Sequence, residues 1–337
     1  MTPSPHRPKN NNQTISIRGR RRPYRERRRI GRCDYFLLEP VGSPLTERYL
    51  AFDPLSGPGG DFFQVQLWHD GPLAQQKLRL LSRLKNDNLP RAVQWQRRDG
   101  NVEVVLTWTD GIPLSNYLKI VKQGRRPPPE PREVVRLIRG LASAVCRLHQ
   151  EEQIAHGDIQ PENVIITDHS SRLVLIDFGS AWTIETTANR NEGDGVRRSY
   201  AAPELQCGGK VNGFLADQFS VSVLFYQMLT QKLPYAGRGG KAGRPERIAK
   251  MLDSFVLPSK VSDNCRRLPK SLQEGIDRLA KRGLALRPEG RYPDRHPWLD
   301  DLFEVYANFR LPPKPPPFVD AVTRVISWLV PFRRTDH

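Results

Sequence analysis

The stretch His156-Gly157-Asp158-Ile159-Gln160-Pro161-Glu162-Asn163-Val164-Ile165-Ile166 decides the reading of this chain. It follows an amphipathic helical run, Glu133–His149, in which Val134, Leu137, Ile138, Leu141, Val145 and Leu148 recur on one face. It leads into an apolar strand, Val164–Ile166. The short loop between them offers Asp158 and, five positions on, Asn163. A second strand, Leu173–Ile176, ends in Asp177-Phe178-Gly179. Two carboxylates and an amide delivered from neighbouring strand ends are hard oxygen donors, a set that suits magnesium when phosphate oxygens complete its shell.

Working outward, the chain changes character near Trp108. Before it, strands are expected at Tyr35–Val41, Arg48–Phe52, Phe62–Trp68, Ala92–Trp95 and Val102–Trp108, with one helix, Pro72–Leu84. After it, helical periodicity dominates, as in Leu215–Leu229 and Leu272–Leu284. The pattern predicts an α+β, bilobal molecule, with a small β-rich lobe over 33–107 and a larger helical lobe over 110–310.

The ordered set His156, Asp158 and Asn163, then Asp177-Phe178-Gly179, then Ala202-Pro203-Glu204 resembles the eukaryotic-type protein kinase family, whose motifs run H-R-D-x-x-x-x-N, D-F-G and A-P-E. Asp217 resembles the aspartate opening that family's central hydrophobic helix, and Arg291 the arginine that pairs with the A-P-E glutamate. The resemblance covers about 33–310. It implies a protein kinase-like fold, ATP and Mg2+ as cofactors, and a protein substrate. Residue by residue, it implies that Asp158 orients the substrate hydroxyl and that Asn163 and Asp177 hold the metal. Leu106 would back the adenine pocket, with Thr107-Trp108-Thr109 as the hinge along the adenine edge. His156, Phe178, Gly179, Glu204, Asp217 and Arg291 would be structural. The run Pro161–Asn163 is similar to the serine/threonine-specific branch.

The phosphate-gripping parts depart from that pattern. Aligning Phe63-Gln64-Val65-Gln66 on the family's V-A-I-K strand puts Gln66 where a lysine belongs. The following helix carries Lys77 where a partner glutamate belongs, so an inward Lys77 would replace the missing cation and a surface-exposed one would not. The glycine-rich loop keeps only Gly42 within Gly42–Glu47. In the catalytic loop, Gln160 stands for a lysine near the γ-phosphate, and Gly157 for the arginine that receives an activation-loop phosphate, so switching by phosphorylation between Gly179 and Ala202 is not expected to use that charge clamp. One lost stabilising donor costs about 3–4 kcal/mol, and two uncompensated losses would slow transfer roughly 10⁴–10⁶-fold. Three functions therefore stand: a serine/threonine protein kinase with an unorthodox phosphate grip, a pseudokinase binding module, and a small-molecule phosphotransferase. The presence of Ala202-Pro203-Glu204 with Arg291 speaks against the last.

Composition bounds the rest. The 337 residues carry 53 Lys+Arg against 36 Asp+Glu, a net charge of +17. Residues 1–32 hold eleven of those cations against Glu26 alone, which predicts a disordered, Arg-rich arm able to attract an acidic protein, nucleic acid or an anionic surface. Residues 311–337 read as a Pro-rich spacer and a short apolar tail. No apolar run is long enough to span a bilayer and no secretion signal is evident, so a cytoplasmic location is expected. Cys33, Cys146, Cys207 and Cys265 form no metal-binding pair.

Overall fold

The computed structural model describes residues 13–41, 47–83, 88–167, 171–178, 180–183, 199–206, 211–244 and 248–310. The expected positions Gly42 and Gly179 and the tail 311–337 lie outside them.

Five strands form the body of the first lobe: β4 (Cys33–Pro40), β5 (Arg48–Asp53), β6 (Asp61–His69), β7 (Ala92–Arg98) and β8 (Asn101–Thr107). Three strands precede them: β1 (Thr14–Ile17), β2 (Arg20–Pro23) and β3 (Glu26–Ile30). The six-stranded antiparallel sheet runs β3-β4-β5-β6-β8-β7. It curls until its edges meet, where Gln96 Nε2 donates to the Arg29 carbonyl at 2.9 Å and Gly31 N donates to Gln96 Oε1 at 3.1 Å. Ile30, Tyr35, Leu37, Ala51, Val65 and Val105 fill the curl. The tight Asp99-Gly100 turn joining β7 to β8 has positive φ at both residues (51° and 72°), which matches the twist of the flanking strands.

The Arg-rich arm is thus not disordered over Thr14–Ile30. The charge count hid a period-two pattern: Ile15 and Ile17 share one side of a hairpin turned at Arg18-Gly19, and Ile17 is buried against Leu38, Leu50 and Phe52. The guanidinium groups of two of these arginines lie over aromatic rings, Arg18 over Phe62 at 5.8 Å and Arg27 over Phe36 at 6.0 Å. Ion pairs offset part of the repulsion, Arg27 with Asp34 at 2.6 Å and Arg28 with Glu26 at 2.8 Å.

Helix α1 (Pro72–Arg83) packs Ala74, Leu78 and Leu81 into the main core, which continues through Leu106 into the helical lobe. Past β8, a two-residue strand, β9 (Ile112–Pro113), leads into α2 (Leu114–Lys122) and the long α3 (Pro131–Glu152). Then come β10 (Ile154–Ala155), β11 (Val164–Ile166), β12 (Leu173–Leu175), β13 (Trp182–Thr183) and α4 (Gly213–Thr230). Strands β12-β11-β9 form a small sheet and β10 pairs with β13. Helix α4 is buried almost all round, so the loops that hydrogen-bond to it are tied to the buried centre of the lobe.

Candidate active site

Asp217 on α4 anchors the loop that carries Asp158 and Asn163. Its Oδ2 accepts from His156 N at 2.7 Å and lies 2.8 Å from His149 Nε2, while Oδ1 accepts from Gly157 N at 2.9 Å. These hydrogen bonds hold the buried carboxyl below the usual carboxylate range against the opposing effect of burial. His156, fully buried, packs edge-on to Phe178 with ring centroids 5.1 Å apart, and its Nε2 lies 3.1 Å from the Ile176 carbonyl. The loop after α3 and the loop after β12 are thereby locked together.

That lock brings the predicted oxygen donors to one place. Ile176 N donates to the Asn163 carbonyl at 2.8 Å, which sets Asp177 beside Asn163. Asn163 Nδ2 donates to the Asp158 carbonyl (2.9 Å) and to Asp158 Oδ2 (2.8 Å), and Gln160 Nε2 donates to the same Oδ2 at 3.0 Å. Both amides thus converge on Oδ2. Burial raises the Asp158 pKa, and the Asp177 charge adds to the effect. Asp177 sits at φ 68°, a left-handed conformation that a non-glycine residue adopts at a cost, of the kind found where a side chain must be aimed. Asn163 Nδ2 is committed to Asp158, so its Oδ1 end is the one suited to a cation. Asn163 and Asp177 fit magnesium, which needs only one or two protein oxygens when phosphates supply others. No cluster of three or more His, Cys, Asp or Glu able to hold a metal occurs among the described residues.

Across the cleft, Gln66 is buried, but its amide is used along its own strand. Gln66 Nε2 donates to Gln64 Oε1 at 2.9 Å, and Trp68 Nε1 donates to Gln66 Oε1 at 2.9 Å. Lys77, the helical lysine, turns inward. It is 5% exposed, 5.7 Å above the Trp68 ring, and close enough to Asp177 and Arg48 to feel both charges. Burial draws its pKa down to about 8, with Asp177 opposing that shift and Arg48 adding to it. A signal for this was present in the sequence, since Lys77 lies within the stripe Ala74, Leu78, Leu81 of α1. A further cation escaped sequence reasoning altogether. Arg48, at the start of β5, places its guanidinium 2.6 Å from Asp177 Oδ1 and ties the two lobes together.

The remaining positions fall as follows. Leu106 is fully buried at the end of β8, on the sheet face of Gln64. Trp108 and Thr109 follow in the connection between the lobes. Trp108 Nε1 donates to Asp110 Oδ1 at 3.0 Å, and the Trp108 ring packs on the cluster that Ile17 completes. Arg291, with no exposed side chain, donates to both oxygens of Glu204 (2.6 and 2.9 Å) and to the Leu215 and Ala285 carbonyls, both at 2.9 Å.

A curled sheet above a helical lobe, with an aspartate-asparagine-aspartate set at their junction, is the two-lobed architecture of the protein kinase fold. The chain belongs to the protein kinase domain family, whose model matches residues 69–299. It is 35% identical over 159 residues to the serine/threonine-protein kinase AtPK2/AtPK19 of Arabidopsis thaliana, covering 47% of this chain and 31% of that protein. It is 28% identical over 236 residues to the serine/threonine-protein kinase GIN4 of Saccharomyces cerevisiae, covering 70% of this chain and 19% of that one. The chain therefore spans a third or less of the length of these curated relatives. Among solved structures, the Mycobacterium tuberculosis PknI kinase domain superposes with a TM-score of 0.52 at 20% identity, over 80% of this chain and 96% of that domain. No helix of the described residues is long and apolar enough to cross a membrane.

Proposed function

We propose that this chain is an ATP-dependent serine/threonine protein kinase in which Lys77 replaces the cation missing at Gln66. The single observation that carries the reading is the inward Lys77, buried beside Asp177. A scaffold with no anionic ligand gains nothing from burying an ammonium there, since desolvation is costly unless a charge repays it. ATP would lie between the sheet and the Asp158–Asn163 loop, with Asn163 and Asp177 holding Mg2+, which when bound shields the phosphate charge. Asp158 Oδ1 would accept the hydrogen bond of a serine or threonine hydroxyl and orient its oxygen toward the terminal phosphate. Gln160, in the position of a lysine, serves to fix the other carboxylate oxygen.

A protein substrate is supported over a small molecule by the intact Glu204–Arg291 pair, and by a recess of about 260 Å³ between α2 and the catalytic loop, lined by Lys119, Lys122, Glu162 and Tyr200. The exposed Arg20, Arg21 and Arg22 of the β1–β2 hairpin, with Arg25 just beyond it, support contact with an acidic protein, nucleic acid or anionic surface. A cytoplasmic location accords with this reading. The test is a thermal shift with ATP and magnesium, followed by transfer from γ-labelled ATP to a basic protein or to the chain itself, with Asp158→Asn as control. Binding and Asp158-dependent transfer are expected. Binding without transfer would favour a nucleotide-sensing pseudokinase, and no binding would leave a scaffold.

A further inference from the structure

We propose that Arg48 is a phosphate-binding residue that waits on Asp177 and moves to the nucleotide when a metal takes that carboxylate. The inference rests on the nucleotide-site reading above.

Three observations carry it. The strand register pairs Arg48 with Gln66, so the two side chains lie on one face of the sheet, and Arg48 brings a positive charge to the place where Gln66 has none. That face is turned to the catalytic loops, because the Arg48 guanidinium reaches Asp177 in the other lobe at 2.6 Å with both side chains about five-sixths buried (15% and 16% exposed). Finally, Arg48 and Lys77 bear on the same carboxylate from two different elements, β5 and α1, so their positive charges meet at one spot in the cleft.

The chemistry follows from what Asp177 can hold. A divalent ion bound there competes with the guanidinium for the carboxylate oxygens. Displaced, Arg48 would be an unpaired charge in a poorly hydrated cleft, an expensive state unless another anion accepts it. The anion that arrives with the metal is a polyphosphate, whose oxygens suit the planar fork of an arginine better than the point charge of a lysine. Arg48 would then hold Asp177 in place while the cleft is empty and grip phosphate when it is filled. Lys77, fixed in the α1 stripe, would supply the second cation throughout.

The test uses the full chain and a fluorescent ATP analogue, titrated with magnesium present, on the wild type, Arg48→Ala and Arg48→Lys, with circular dichroism confirming that each is folded. Arg48→Ala is expected to weaken analogue binding about 10- to 100-fold, the scale of one charge-assisted contact. Arg48→Lys should recover part of that loss. A second titration, with Mg2+ alone and read by thermal shift, should move the opposite way: Asp177 freed of its competitor binds metal at lower concentration in Arg48→Ala than in the wild type. A residue that only latched the lobes would not produce those opposed shifts. Analogue affinity unchanged in Arg48→Ala, or metal and analogue affinity falling together, overturns the role of Arg48. Failure of the wild type to bind the analogue overturns the nucleotide-site reading itself, and this proposal with it.

Discussion

The Trp182 ring fills the space that any side chain at position 157 would need. A Cβ built on Gly157 would collide with that ring, and Gly157 adopts φ 72°, which side chains other than glycine's rarely tolerate. The pairing of β10 with β13, Ala155 opposite Trp182, delivers the indole there. The absence of an arginine from the H-R-D position is thus built into the packing, with a bulky apolar ring in its place. Restoring it as Gly157→Arg should cost about 2–4 kcal/mol, from the strained backbone and the overpacking together. Equilibrium urea unfolding of Gly157→Arg alone and combined with Trp182→Ala checks this. The second change should return part of the loss, and purely additive effects would show that the two residues do not compete for the same space.

Asp217 makes the His156–Asn163 loop sensitive to acid. Its carboxyl has a lower pKa in the folded chain than in the unfolded one, where about 3.9 is usual, so the unfolded chain takes up the proton first as pH falls. The stabilisation is complete above that value and disappears as pH drops through the lower, folded pKa. Asp217→Asn should cost about 3 kcal/mol at neutral pH, since two backbone donors and His149 lose an ionised partner. The gap between variant and wild type should narrow below about pH 4. Denaturant titrations at several pH values measure the gap, and a constant difference would mean that the carboxylate charge contributes nothing.

The amino-terminal hairpin should resist trypsin despite its arginines. Ile17 is 5% exposed and joins Leu38, Leu50 and Phe52, so Ile17→Ala removes about 2–4 kcal/mol of packing and should release the hairpin before the rest of the lobe unfolds. Cleavage after Arg20 or Arg21 should be slow in the wild type and markedly faster in Ile17→Ala. Equal, rapid cleavage in both would return this stretch to a disordered arm.

What was legible in the sequence follows the range of the interaction concerned. Asp158, Asn163 and Asp177 lie in short segments whose strand and loop order is local, and the Glu204–Arg291 pair was recoverable because each partner sits in its own recognisable motif. The inward turn of Lys77 was half legible, being present in the α1 stripe but outweighed by the usual solvent exposure of a helical lysine. Arg48 was not, because its importance depends on the β5–β6 register and on closure of one lobe against the other, neither of which leaves a local mark. The Arg-rich strands are hidden in the sequence for a related reason. Charge counting treats every arginine as solvated and repelling, whereas pairing β3 with β4 sets Asp34 against Arg27 and Phe36 beside the same guanidinium.

Lys77 allows binding and stability to be pulled apart. A buried ammonium near a guanidinium and a single carboxylate is poorly repaid in the empty cleft, as the downward pull of burial on its pKa shows. Methionine matches the length of the stem, keeps the packing beside Trp68, Leu78 and Leu81, and removes the charge. Lys77→Met should therefore leave unfolding free energy unchanged or raise it by up to about 2 kcal/mol. The same substitution should weaken nucleotide binding at least tenfold, because the phosphates lose a cation that the protein had already desolvated. Calorimetric titration with ATP and magnesium, alongside thermal unfolding, separates the two effects. A variant both less stable and weaker in binding would identify Lys77 as a packing residue, while one with wild-type affinity would leave the cleft without the replacement for Gln66 that phosphotransfer requires.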